Sequence, residues 1–301
     1  MQIPQYLKKG DKAGIVSPAG RIDAEKTRKA AMTIENWGLQ AVFGNHCFAV
    51  DNQFAGTDRQ RAEDFQRMLD DPEIKAIFCT RGGYGSIRII GKLDFSKFRK
   101  NPKWIIGFSD LTVFHTFLNQ ILSIESLHAA MLKNFPLNGI DEVDTAMLKN
   151  VLFGKKLNYC AEAHKLNRQG TAYGELTGGN LSILYNLRGT PYDIYTKGKI
   201  LFIEEVGEYL YHLDRMMMNL KISGYLEKLD GLIVGQMTGM KDNNVPFGKS
   251  SYQIIREAVE DYNFPVCFGF KAGHDKPNLP LIMGRKLKIE VKPGDCTVLF
   301  D

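Results

Sequence analysis

Short apolar runs alternate with amphipathic stretches through the first half of the chain. "KAGIV" opens as a buried strand and runs into the Ser-Pro-Ala-Gly loop of residues 17–20. Asp23 stands where it caps a helix reaching Trp37, and Gly38 follows where a glycine closes a helix. "QAVFG" reads as the next strand. Thr57 and Gln60 have capping-box spacing for a helix that carries Phe65, Met68 and Leu69. "IKAIFCT" and "WIIGFS" are further strands, and the turn "RGGYGS" follows the first of them. Beyond Asp110, apolar residues recur at Leu111, Phe114, Leu118, Ile121 and Leu122, the spacing of a helix. Strands alternating with helices predict a parallel sheet covered on both faces, the α/β class.

The pattern loosens over residues 141–170, which read as a linker with one short helix. It separates an N-terminal α/β domain, residues 1–140, from a C-terminal one, residues 171–301. The second domain shows the strands "KILFIEE", "LDGLIVG" and "FPVCFGF", with helices near residues 210–222 and 251–262 between them. Its tail predicts short strands joined by the "KPGD" turn. Methionines 216–218 read as helical core, not as a Met-rich binding surface.

A chain of 301 residues suits two domains of ordinary size, about 150 residues each. The net charge of +5 is small and spread along the sequence, which gives no nucleic-acid footprint. Its densest basic run, "KFRKNPK" at residues 97–103, reads as a solvated face. No stretch approaches the ~18 consecutive apolar residues of a membrane span, and the N-terminus lacks a signal-peptide pattern. The expected setting is the cytoplasm, with neither membrane nor nucleic acid as partner. Five scattered cysteines without a CxxC pair read as reduced thiols. No His/Cys/Asp cluster has ligand spacing, so neither a metal nor another cofactor is expected.

In a parallel α/β sheet, ligands sit beyond the carboxyl ends of the strands. A serine at the end of "WIIGF" faces that crevice. Ser109 also opens a helix, whose free N–H groups suit an oxyanion. This is the logic of a G-x-S-x-G nucleophile elbow, although Leu111 replaces the second glycine. The competing reading is a helix cap, worth about 1 kcal/mol. A nucleophile would need a base, and the base an orienting carboxylate. Among six histidines, His115 falls on a helix flank and reads as packed, while His46, His164 and His212 read as solvated. His128 follows a strand and is a second candidate. His274 stands in a Gly-rich loop just past a strand, where catalytic groups concentrate. For the carboxylate, "KILFIEEVGE" ends an apolar strand in Glu204 and Glu205. Adjacent strand residues face opposite sides, so one of the pair can enter the crevice. Alternatively, both are solvated strand-end charges. The "RGGYGS" turn lacks the Lys-Ser/Thr of a P-loop and the spacing of G-x-G-x-x-G, which argues against a nucleotide site.

Taken in order, "RGGYGS", "GFSDLT", "GGNLSIL", "LFIEEVGE", "LDRMM" and "GHDKPNLPLIMG" resemble the LD-carboxypeptidase family of serine peptidases over nearly the whole chain. Microcin C immunity hydrolases share that family. The resemblance implies a flavodoxin-like or Rossmann-like parallel-sheet domain, a smaller C-terminal α/β domain, a site between them and a homodimer. It implies a triad of Ser109, Glu204 and His274, with an oxyanion hole from the backbone N–H groups of Asp110 and Gly83. Arg81 and Tyr84 are candidate substrate contacts. The implied activity is a serine carboxypeptidase that cleaves an L,D peptide bond through an acyl-enzyme. It would release terminal D-Ala from the murein tetrapeptide in cell-wall recycling. One departure is visible: His128-Ala129-Ala130-Met131 stands where relatives commonly carry His-Gly-Pro-Met, which leaves the pocket shape and exact substrate open. The alternatives are a microcin C-type amide hydrolase and a non-catalytic two-domain ligand-binding protein in which Ser109 is only a cap.

Overall fold

The buried runs of the first half become β1 (Lys12–Val16), β2 (Gln40–Phe43), β3 (Ile74–Cys79), β4 (Trp104–Gly107) and β5 (Ser126–His128) in a computed structural model that describes residues 1–301. Their order is β2-β1-β3-β4-β5, every neighbouring pair parallel. This is the flavodoxin-like order, which puts binding loops at the carboxyl edge of the sheet. Between the strands lie α1 (Ala24–Asn36), α2 (Asp58–Asp70), α3 (Ser86–Ile90), α4 (Ser96–Lys100) and α5 (Thr112–Phe117). Asp23 caps α1 by accepting the Lys26 N–H at 2.8 Å, and Gly38 takes φ +87° just past its end. Thr57 and Gln60 form the expected capping box of α2. All four residues of β4 are buried, as helices on both faces require.

Two expectations in this region need correction. The helix after Asp110 starts as a 3-10 turn and ends in a π turn at Leu118–Leu122. The wider turn shifts the helical phase, so Leu111, Phe114 and Leu118 are buried while Ile121 is exposed. The basic run is not wholly solvated either. Lys103 is buried, and its ammonium donates to the carbonyls of Met68 (2.7 Å), Leu69 (2.8 Å) and Asp71 at the end of α2. It satisfies carbonyls that the helix leaves open. Burial pushes its pKa down to about 8, so it still carries its protons at neutral pH.

The stretch expected as a linker is built into the fold. It holds α6 (Val143–Leu152) and β6 (Asn158–Glu162), and the Trp37 indole donates to Asp141 at 2.9 Å. Then follow β7 (Gly170–Asn180), α7 (Leu181–Asn186), β8 (Lys199–Val206), α8 (Leu210–Ile222), β9 (Gly231–Thr238), α9 (Ser251–Ala258) and β10 (Val266–Phe268). The chain ends with β11 (Leu281–Met283), β12 (Lys286–Val291) and β13 (Asp295–Phe300). Strand β11 joins the first sheet beside β5, and the rest form a second sheet ordered β10-β9-β8-β7-β12-β13-β6. Its first four strands are parallel and its last three antiparallel. Residues 1–155 with 279–282 make one compact unit, and residues 156–278 with 283–301 the other. In the second unit Leu184, Leu213, Met216, Met217 and Ile255 are fully buried, each contributing roughly 1.5–3 kcal/mol.

Candidate active site

Ser109 lies two residues past the end of β4 with φ +62°, in the left-handed region. For an L-residue that conformation costs roughly 1–2 kcal/mol. An N-cap needs extended backbone instead. The residues in the cap positions before the 3-10 turn and α5 are Phe108 and Leu111, and neither makes a side-chain cap bond. Ser109 is thus held in strain at a strand-to-helix turn, not seated as a cap. The leucine that breaks the G-x-S-x-G pattern packs over Gly107, where an added Cβ would lie 2.9 Å from Leu111 Cγ.

The "RGGYGS" turn presses against this serine. A Cβ on Gly82 would stand 3.2 Å from Ser109 Cβ and 3.3 Å from the Asp110 nitrogen, so any side chain there would have to push these neighbours aside by a few tenths of an ångström. Asp110 fixes the turn in place: its buried carboxylate accepts the Ser86 N–H at 2.8 Å. Burial raises its pKa, and the hydrogen bonds from Ser86 and Gly85 oppose that rise. Gly83, with φ +109°, presents the backbone of the same turn. Arg81 is half-buried and donates to the carbonyls of Gly82 (3.3 Å) and Arg21 (3.2 Å). Tyr84 is exposed, its ring 6.0 Å from that of Phe54.

Two histidines of this unit have structural settings. His115 is buried between the Gly107 carbonyl (Nε2, 2.8 Å) and Ser126 Oγ (Nδ1, 2.9 Å), and burial lowers its pKa to about 4. It is packed, as expected. His128 ends β5 fully buried, its ring 5.6 Å from that of Phe108. Ala129, Ala130 and Met131 after it are buried too, so the departure there is a change in packing beside β4.

In the second unit, Glu204 is fully buried in β8, and its Oε2 lies 2.7 Å from His274 Nδ1. An ionised carboxylate can only accept, so the bond is donated by Nδ1–H of the imidazole. Gly235 and Gly273 make room: a Cβ on either would approach Glu204 Cβ to 3.2 or 3.3 Å. The His274 loop is clamped on both sides. Asn278 Oδ1 accepts the Gly273 N–H (3.0 Å), and Gln236 Oε1 accepts the Asp275 N–H (2.8 Å).

Glu205 corrects the picture of a solvated strand end. It too is buried, accepting from Asn180 Nδ2 (3.0 Å), the Ser182 N–H (2.7 Å) and the Val206 N–H (2.8 Å). Burial raises its pKa, and the neighbouring Glu204 charge adds to the rise. Alternation does send the pair to opposite sides, but both sides are covered. His46, His164 and His212 are half-buried, not solvated; His164 packs on Phe268 and Tyr252, and His212 bonds Glu208 at 2.7 Å.

The structure therefore brings Glu204 to His274 in one unit, and Ser109, Asp110 and the Gly82–Gly83 turn together in the other. Sequence reasoning missed Gly82, Gln236, Asn278 and the partners of Glu205. Gln236 had a faint signal, a polar residue near the carboxyl end of an apolar strand.

Two family models match the chain: the LD-carboxypeptidase N-terminal domain over residues 13–129 and the LD-carboxypeptidase C-terminal domain over residues 173–289. A probable murein peptide carboxypeptidase from Bacillus subtilis (strain 168) is 36% identical over 290 residues, covering 94% of this chain and 90% of the relative. The crystal structure of muramoyltetrapeptide carboxypeptidase from Oxalobacter formigenes superposes with TM-score 0.86 at 25% identity, covering 96% of this chain and 98% of that one. The microcin C7 self immunity protein MccF in its wild-type apo state shares the fold, with TM-score 0.87 at 22% identity over 98% and 97% of the two chains.

Proposed function

Because the chain belongs to the LD-carboxypeptidase family, we propose that it is a serine-type carboxypeptidase cleaving an L-to-D peptide bond. The proposed reaction releases terminal D-Ala from a murein tetrapeptide, the substrate class named for its relatives. In this reading Ser109 Oγ attacks the scissile carbonyl while His274 Nε2 takes its proton. Glu204 holds the imidazole tautomer and stabilises the imidazolium. The N–H groups of Asp110 and Gly83 receive the oxyanion, and the strained turn aims them before substrate arrives. The amine of D-Ala leaves with the proton from His274. Water, deprotonated by the same nitrogen, then opens the acyl-enzyme and returns the proton to Ser109. No step calls on a metal. Arg81 and Tyr84 flank the turn and contact the peptide.

The single observation that carries this reading is Ser109 at φ +62°. A cap has no use for that conformation, whereas a nucleophile gains exposure from it. Tri-, tetra- and pentapeptides of murein, incubated with the enzyme, test the reading: D-Ala should be released from the tetrapeptide. A fluorophosphonate should label Ser109. No D-Ala and no labelled serine would leave a binding protein. The reading also places the enzyme in the cytoplasm as a homodimer, checked by fractionation and light scattering.

A further inference from the structure

Four basic side chains converge on the carboxyl edge of the first sheet, and the reaction above uses only one of them. Arg21 lies beyond β1, Arg81 beyond β3 and Lys133 beyond β5, and Lys26 belongs to the first turns of α1. Together they line a cavity of about 300 Å³ with an apolar floor that includes Phe135 and Leu137. Asp23 is the one carboxylate in its wall, and it already accepts the Lys26 N–H as the cap of α1. No ion pair joins any of the four cations to a carboxylate. Arg81 is half-buried and Arg21, Lys26 and Lys133 are exposed, so four positive charges and one negative charge ring a solvent-open rim. Like charges around the cavity repel one another, and an anion bound among them would turn that repulsion into attraction.

The cavity shares a wall with the candidate site. Arg81 precedes Gly82, the residue packed against Ser109 and Asp110. A terminal alanine would fill a small part of the volume, so the cavity suits a longer arm of the peptide. An aliphatic stem would lie on Phe135 and Leu137 while its carboxylate meets the cationic rim.

We propose that this cavity is an anion subsite that takes a free carboxylate on the acyl side of the scissile bond, so that the enzyme selects peptides by a charge remote from the one released. The proposal rests on the peptidase reading given above. It predicts a KM effect, because the contact is made equally in the ground state and the transition state.

Matched tetrapeptides test it: one with free carboxylates at its second and third residues, and two in which one or the other is an amide. The wild type should show KM roughly tenfold higher for one amidated peptide, the scale of a lost charge-assisted hydrogen bond. Arg21→Gln with Lys133→Gln should raise KM for the free-carboxylate peptide by a similar factor, with kcat falling no more than about twofold. The same pair should barely change KM for the discriminated amide. Arg81 is left intact because its guanidinium supports the turn. Turnover without discrimination by either amide, or an equal KM rise for charged and amidated peptides, overturns the subsite and leaves the peptidase reading standing. If no peptide releases D-Ala, calorimetric titration of the same peptides into the wild type decides. Discrimination in binding then supports the subsite while the peptidase reading fails, and equal affinities overturn both.

Discussion

Replacing Ser109 by glycine separates the two roles a serine can play at the end of β4. At φ +62° serine carries roughly 1–2 kcal/mol of backbone strain that glycine does not. Glycine gives back about 0.5–1 kcal/mol through the freer unfolded chain. The net expectation is a variant more stable by about 0.5–1 kcal/mol, a rise of roughly 1–4 °C in the unfolding midpoint for a unit of this size. Turnover should fall by about 10⁴-fold or more, with peptide binding retained, because the attacking oxygen is gone while the remaining groups stay. Ser109→Ala should be equally inactive and within about 0.5 kcal/mol of the wild type, since it keeps the strain. Ser109→Asp should fold and stay inactive, because a carboxylate would stand where the oxyanion forms. A cap predicts the reverse: an Ala variant that loses about 0.5–2 kcal/mol and a Gly variant that loses about a few tenths of a kcal/mol, both still releasing D-Ala. Thermal unfolding and a D-Ala assay on the same preparations read both quantities. A Gly variant with a lowered midpoint and near-normal D-Ala release would refute the argument.

The other expectations are briefer. Glu204→Gln should cut turnover by several orders of magnitude, whereas Glu205→Gln should keep most of it per folded molecule and lose about 1–3 kcal/mol in urea unfolding, because its amide meets N–H donors; the opposite ranking would shift the site by one residue. Lys103→Met should cost roughly 1–3 kcal/mol in the same measurement by stranding the carbonyls at the end of α2, and a silent variant would mean that water replaces the ammonium there. D-Ala release should survive prolonged EDTA, and loss of activity restored by zinc would overturn the serine mechanism. His115 makes stability pH-dependent: its pKa is about 4 folded and 6.5 unfolded, so the unfolded chain binds the proton first and about 3 kcal/mol present above pH 6.5 is lost as pH falls toward 4. His115→Gln should flatten that slope relative to the wild type in urea titrations at a series of pH values, and parallel slopes would refute it.

What the sequence revealed was local. Asp23 bonds an amide three residues away, and Thr57 and Gln60 satisfy one another across one turn, so their signals need no tertiary partner. The position of Ser109 just past a strand was legible for the same reason, since strand, glycine and serine are contiguous. Strand β11 was visible only as a short apolar run, and its place beside β5 is a pairing across some 150 residues that no local pattern encodes. The phase slip that exposes Ile121 arises in a π turn, which the apolar spacing did not announce.

Charges were the hardest residues to place, because a charge is buried or solvated according to what the fold brings to it. Lys103 sits in a run that reads as solvated, yet the end of α2 offers it three carbonyls. Glu205 reads as a strand-end charge, yet Asn180, Ser182 and Val206 supply three N–H donors. A fold that meets two buried charges with three partners each can satisfy charge where doing so stabilises it. Around the cavity beside Arg81 it supplies little counter-charge: Arg81 meets two carbonyls, Arg21, Lys26 and Lys133 are exposed, and the one carboxylate in the wall already accepts at a helix cap. Cations left without counter-charge, on the loop edge where this sheet type binds ligands, are better explained by a partner that arrives from solution than by stability, and an anionic arm of the substrate is the partner whose charge and length fit.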